Sequence, residues 1–147
     1  MENGFITENM KITKVKDPST ANTGDVTSDI VDMAGFDGCI FVTSYGTAAA
    51  DNLMHVESGD ASNMSDAADL AGGEIDLGGA SDEDQALDVL RPQERYLRVV
   101  AQRGTSTALG DIWAFQYKAK DGMPISNLLV GTICCKRIGP FAAEGTK

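Results

Sequence analysis

In residues 96–102, Tyr96, Arg98, Val100 and Gln102 alternate with Leu97, Val99 and Ala101. After the loop GTSTALGD the pattern returns, with Trp113, Phe115 and Tyr117 set against Ile112, Ala114 and Gln116. Successive side chains of an extended chain point to opposite faces. A period of two filled with β-branched and aromatic residues therefore marks half-buried, paired strands. The chain's one tryptophan lies in the second run, which places the expected core at a hairpin made by these two strands. The residues by themselves specify a soluble β-rich domain and no reaction.

Further strands are expected along the chain. Residues 25–33 alternate, residues 39–45 (CIFVTSY) have the length and branching of a buried strand, and 53–57 and 74–77 are shorter candidates. Residues 127–135 (NLLVGTICC) read as a last strand, with Gly131 as a bulge. Residues 10–15 alternate weakly, as a first strand or one that forms against a partner. Residues 17–24 are loop by composition. Ser65 as a helix N-cap followed by DAADLA predicts one or two helical turns, ended by Gly72 and Gly73. No long amphipathic helix alternates with the strands. The expected class is all-β: a single-domain β-sandwich, jelly-roll-like, or a β-barrel, with one short helical turn. The expected division is an N-terminal arm and loop over 1–24, the β-rich domain over 25–138, and a flexible tail over 139–147.

Charge narrows the partners. The net charge is −10, which disfavours a general nucleic-acid binder, since such a protein needs a basic face to displace counterions. From Asp51 to Asp88 there are eleven acids and no Lys or Arg. Residues 1–10 are polar, so no signal peptide is expected, and no apolar run has the length of a membrane span. Of the three cysteines, Cys134 and Cys135 are adjacent and ill-suited to pair with each other. Without a C-x-x-C or Cys/His ligand set, zinc is not expected.

Chemistry-bearing patterns are sparse. His55, the sole histidine, lies in a strand pattern and is expected to be a satisfied structural residue. Asp60, Asp66, Asp69, Asp82, Glu83 and Asp84 do not follow calcium-loop spacing and read as a solvated acidic segment. The glycine pairs at 72–73 and 78–79 are turns, not phosphate loops. No catalytic residue, cofactor or metal is expected, and the chain is not expected to be an enzyme. Phe5, Ile6, Met10 and Ile12 are apolar residues in a polar leader. They belong either to a frayed terminus or to an arm that docks by strand addition. Arg95, Arg98 and Arg103 either neutralise the acidic segment of the same chain or meet that of a neighbouring copy.

Three segments carry a resemblance: DVTSDIVDMAGFDGCIFVTSYGT, DASNMSDAADLAGGEIDL, and DVLRPQERYLRVVAQRGTSTALGDIWAFQYKA. Their D-M-x-G-F-D-G turn (residues 32–38) and RP-x-x-RY-x-R run (residues 91–98) resemble small virion structural proteins encoded near the head genes of tailed phages. The similarity covers about two thirds of the chain and is one of pattern, without a motif of known chemistry. It implies a capsid decoration (cement) protein: a homotrimer on the capsid surface, made in the host cytoplasm. Such a protein binds the major capsid protein at capsomer junctions and contacts neither membrane nor nucleic acid. Phe5, Ile6, Met10 and Ile12 would then form the capsid-binding arm, and Arg95, Arg98 and Arg103 the self-association surface. A neck or tail component shares this composition. A carbohydrate-binding β-sandwich would require Trp113 and Tyr117 to face solvent.

Overall fold

The structure, a computed structural model, describes residues 6–47, 49, 51–75 and 84–118. Among the described residues, one 3-10 turn at Ile6–Glu8 is followed by eleven strands: β1 (Lys11–Lys16), β2 (Ser19–Asn22), β3 (Val26–Thr27), β4 (Val31–Asp32), β5 (Gly38–Ser44), β6 (Asn52–Gly59), β7 (Ala68–Ile75), β8 (Asp84–Leu90), β9 (Tyr96–Arg103), β10 (Thr107–Leu109) and β11 (Ile112–Tyr117). Sheet I runs β1-β11-β5-β8, and sheet II runs β3-β9-β6-β7 with β4 also on β9. β2 and β10 make a small ribbon. Every pairing is antiparallel. The fold is all-β, as the period-two runs require.

One core cluster joins the two sheets. Phe41, Cys39, Ala114, Ile112 and Val89 from sheet I meet Met54, Val56, Leu97, Val99 and Ala101 from sheet II. Each fully buried Val, Leu or Phe side chain contributes about 1.5–3 kcal/mol by leaving water. Tyr45 is also buried, and its hydroxyl, with one proton to give, lies between two acceptors, the Leu53 carbonyl (2.9 Å) on β6 and the Gln102 carbonyl (3.1 Å) on β9. Burial raises the Tyr45 pKa above its ordinary value.

Four expectations need correction. The runs at Tyr96–Arg103 and Ile112–Tyr117 do not form a hairpin: β9 lies in sheet II against β6, and β11 in sheet I between β1 and β5. The connection leaves one sheet, forms β10 on the ribbon and enters the other. The aromatic face of β11 is also not the core face. Ile112, Ala114 and Gln116 are buried, while Trp113, Phe115 and Tyr117 are half-buried on the outside. Alternation shows that two faces differ, not which one turns inward. Here the bulk of Phe41, Met54, Leu97 and Tyr45 already fills the interior, so the slimmer face of β11 fits.

The third correction concerns residues 65–71, where the helical turn does not form. Asp66 bends back instead, its carboxylate accepting the Asp60 N–H (2.9 Å) and the Ala61 N–H (3.2 Å), and β7 begins at Ala68. Residues 17–24, expected as loop, include the ribbon strand β2. The strand expected over 127–135 and the tail over 139–147 lie outside the described residues.

Interruptions in the ladders are repaired locally. β3 and β4 lie along the same side of β9, and Ser28 between them bridges the gap. Its N–H donates to the Val99 carbonyl (2.9 Å), and its hydroxyl accepts the Val99 N–H (3.0 Å). The next residue, Asp29, donates its N–H to the Val15 carbonyl (2.8 Å) and so links the edge of sheet II to β1 of sheet I.

Candidate functional site

The two turns that carry the virion resemblance meet at one end of the sandwich. Met33–Phe36 closes with a Phe36 N–H to Met33 carbonyl bond of 3.0 Å, and Gly35 takes φ 89, a left-handed value that favours glycine. The second turn locks onto it. Arg91 (φ 51) donates its N–H to the Asp37 carbonyl at 2.6 Å, and Met33 donates to the Arg95 carbonyl at 2.9 Å. The Arg95 guanidinium grips Asp32 with two parallel bonds of 2.9 Å. These bonds to Arg95 hold the Asp32 carboxyl below its usual pKa. Gln116 reaches across from β11 to the Asp32 carbonyl (2.7 Å) and ties this corner to sheet I. Between the turns lies an open groove of about 360 Å³, lined by Phe36, Asp37, Asp60, Arg91, Glu94 and Arg95 among others. Of its charged residues, Arg95 pairs with Asp32, and Asp60 accepts the Arg95 N–H at 3.4 Å.

The second surface is the outer face of sheet I. In register, Ile12, Phe115, Ile40 and Asp88 form one row, and Lys14, Trp113, Val42 and Ala86 the next. The Lys14 ammonium lies 5.9 Å from the Trp113 ring centroid. Tyr117 covers Gly38, where a Cβ would collide with its ring, and its hydroxyl donates to Asp88 at 2.5 Å. Burial, then the Asp88 bond, push the Tyr117 pKa up to about 12. Leu90 is 56% exposed beside this pair.

The three arginines nominated for self-association all have partners in their own chain. Arg98 donates to Glu57 at 2.5 Å, and so does meet the acidic segment of its own chain. Arg95 pairs with Asp32, outside that segment. Arg103 is 5% exposed and binds neutral acceptors: the Gly24 carbonyl (2.6 Å), Ser19 Oγ and the Thr20 carbonyl (3.0 Å each), and the Thr107 carbonyl (3.2 Å). It thereby anchors the ribbon to β9. Of the nominated arm, Ile6 is 60% exposed in the 3-10 turn, Met10 is half-buried, Ile12 is half-buried within β1, and Phe5 lies outside the described residues.

One cluster has ligand character that the sequence spacing conceals. His55 and Glu57 share the outer face of β6, and Asp69 faces them from β7. Their donor atoms all lie within 4.8 Å of one another. No spacing rule finds it, because a bulge in the β6–β7 pairing brings Asp69 opposite Glu57. Cys39 is buried at the core with its pKa raised to about 12, chiefly by desolvation, and has no thiolate chemistry near neutrality. Among the described residues no helix is long and apolar enough to cross a membrane. No protein-family model matches the chain, and a search of curated proteins gives no match.

Proposed function

We propose that this chain is a structural protein of a tailed-phage particle, of the capsid decoration type, acting as a homo-oligomer on the major capsid protein. The observation that carries it is the convergence of the two resemblance segments, residues 32–38 and 91–98, in one densely bonded corner. The bonds Arg95–Asp32, Arg91–Asp37 and Gln116–Asp32 fix the backbone there. A rigid corner beside a shallow open groove suits protein docking, because little ordering entropy is lost on binding. The half-exposed apolar rows of sheet I supply a second contact area, and two contact areas per copy, repeated in an oligomer, multiply weak contacts into a stable coat.

The test is quantitative protein analysis of purified virions that carry this chain. A copy number matching the capsomer junctions supports decoration. A number matching the single portal vertex moves the protein to the neck or tail, and absence from the particle overturns the virion reading.

One observation favours a second function, carbohydrate binding. Trp113 and Tyr117 lie on the outer face of sheet I with Asp88 beside them. Saccharides that quench the fluorescence of Trp113, the chain's one tryptophan, would support it, and an unchanged spectrum across a sugar panel would remove it.

A further inference from the structure

The outer face of sheet II carries its own constellation. His55 Nε2 and Asp69 Oδ1 are 3.4 Å apart. Two ligands bonded to tetrahedral zinc at about 2.0–2.1 Å stand ~3.4 Å from each other, so this pair is already at coordination spacing. Glu57 follows His55 by two residues on β6, on the same face. Arg98 engages its Oε2, and a carboxylate with two oxygens and several lone pairs keeps capacity for a cation at the other. The Arg98 bond also fixes the orientation of Glu57, as outer-shell partners of metal ligands do. The ladder irregularity between His55 and Glu57 sets Glu74 opposite His55 and Asp69 opposite Glu57. Both acids thus stand across from the β6 pair, and Glu74 adds negative charge to the face. The His55 and Glu57 side chains are each 18% exposed and Asp69 is 78% exposed, so two donors are held in place and the third is reachable from solvent.

We propose that His55, Glu57 and Asp69 bind a divalent transition metal of the zinc class, with an open fourth position toward solvent. One imidazole nitrogen and two carboxylates select zinc, cobalt or nickel over magnesium and calcium, which prefer all-oxygen shells. The site is independent of the virion function proposed above.

The sole histidine makes the test specific to one residue. The full chain with Cys134→Ser and Cys135→Ser, which removes competing thiols, is titrated with zinc chloride. Imidazole ¹H–¹⁵N spectra and calorimetry are recorded, with magnesium chloride as the contrast. The expected result is one zinc per chain, a shift of the His55 Nε2 resonance on stoichiometric addition, and no shift with magnesium. Asp69→Asn, at an exposed position that leaves the amide spectrum folded, should weaken zinc binding by at least ~10-fold, since losing even an outer-shell partner costs about 10–100-fold. A His55 resonance that does not move at molar excess of zinc, or Asp69→Asn binding zinc as tightly as its parent, overturns the site.

Discussion

Replacing Arg103 by alanine tests how the β2–β10 ribbon is held. The side chain makes four hydrogen bonds to neutral acceptors. The Thr107 carbonyl is fully buried in this contact, and the other three acceptors are partly buried and can be rehydrated. Leaving one buried acceptor unsatisfied costs about 1–3 kcal/mol, and each partly buried bond about 0.5–1 kcal/mol. The expected loss is therefore about 2.5–6 kcal/mol, against a total of roughly 0.05–0.15 kcal/mol per residue for a domain. With a urea slope of about 1–3 kcal/mol per molar, the midpoint should fall by about 2 M at unchanged slope. Arg103→Lys keeps the charge but not the planar fork and should lose about half as much. Urea titrations at two protein concentrations separate this role from self-association. An anchoring residue gives a loss independent of concentration, and an interface residue gives a concentration-dependent midpoint. A loss below about 1 kcal/mol would refute the anchoring argument.

Three other outcomes follow from the geometry. Gly38→Ala drives a methyl into the Tyr117 ring and should cost about 1–3 kcal/mol; a double-mutant cycle with Tyr117→Ala should recover much of it. Gln85 is 3% exposed, and among the described residues neither of its amide atoms has a hydrogen-bond partner, so Gln85→Leu should raise stability by about 1–3 kcal/mol, read as a higher urea midpoint. Asp32 and Asp66 have lowered pKa values, the first mainly from its bonds to Arg95 and the second mainly from the Asp60 N–H. Their stabilisation is present above the unfolded carboxylate value of about 3.9 and is lost as pH falls through the lower folded values. The urea midpoint should drop below about pH 4, and the double variant Asp32→Asn, Asp66→Asn should flatten that drop.

The sequence foretold strands well and neighbours poorly. Alternation in residues 39–45, 53–57, 96–102 and 112–117 marks β5, β6, β9 and β11, and it sorted Leu97, Val99 and Ala101 onto one face, now the buried one. Period two is a local property of the chain, whereas pairing is decided by which faces fill a shared interior. Hence β9 and β11, adjacent in sequence patterning, sit in different sheets. The helical turn expected after Ser65 did not form because the Asp66 carboxylate, which would suit a helix start, suits equally a loop whose N–H groups curl toward it. The His55, Glu57 and Asp69 cluster was illegible for a related reason, since its third member arrives through a bulged register that no linear spacing encodes. The arginines were visible as charges, but their partners, two acids and a set of carbonyls, depend on tertiary placement.

The strand order has a consequence for biosynthesis. Among the described strands only β6 and β7 pair with a chain neighbour, and β1 waits for β11. On the ribosome, the segment Lys11–Lys16 emerges well before Ile112–Tyr117 and must remain without its β11 partner until that strand has cleared the exit tunnel. No shortened chain can close sheet I, so its interior face stays open to solvent until synthesis has passed that point. Folding is then a late, all-at-once event dominated by distant pairings, of the slow kind. A cell that produces many copies must keep the nascent chains apart in the interval, and the strong negative charge of the middle segment repels one unfinished chain from the next.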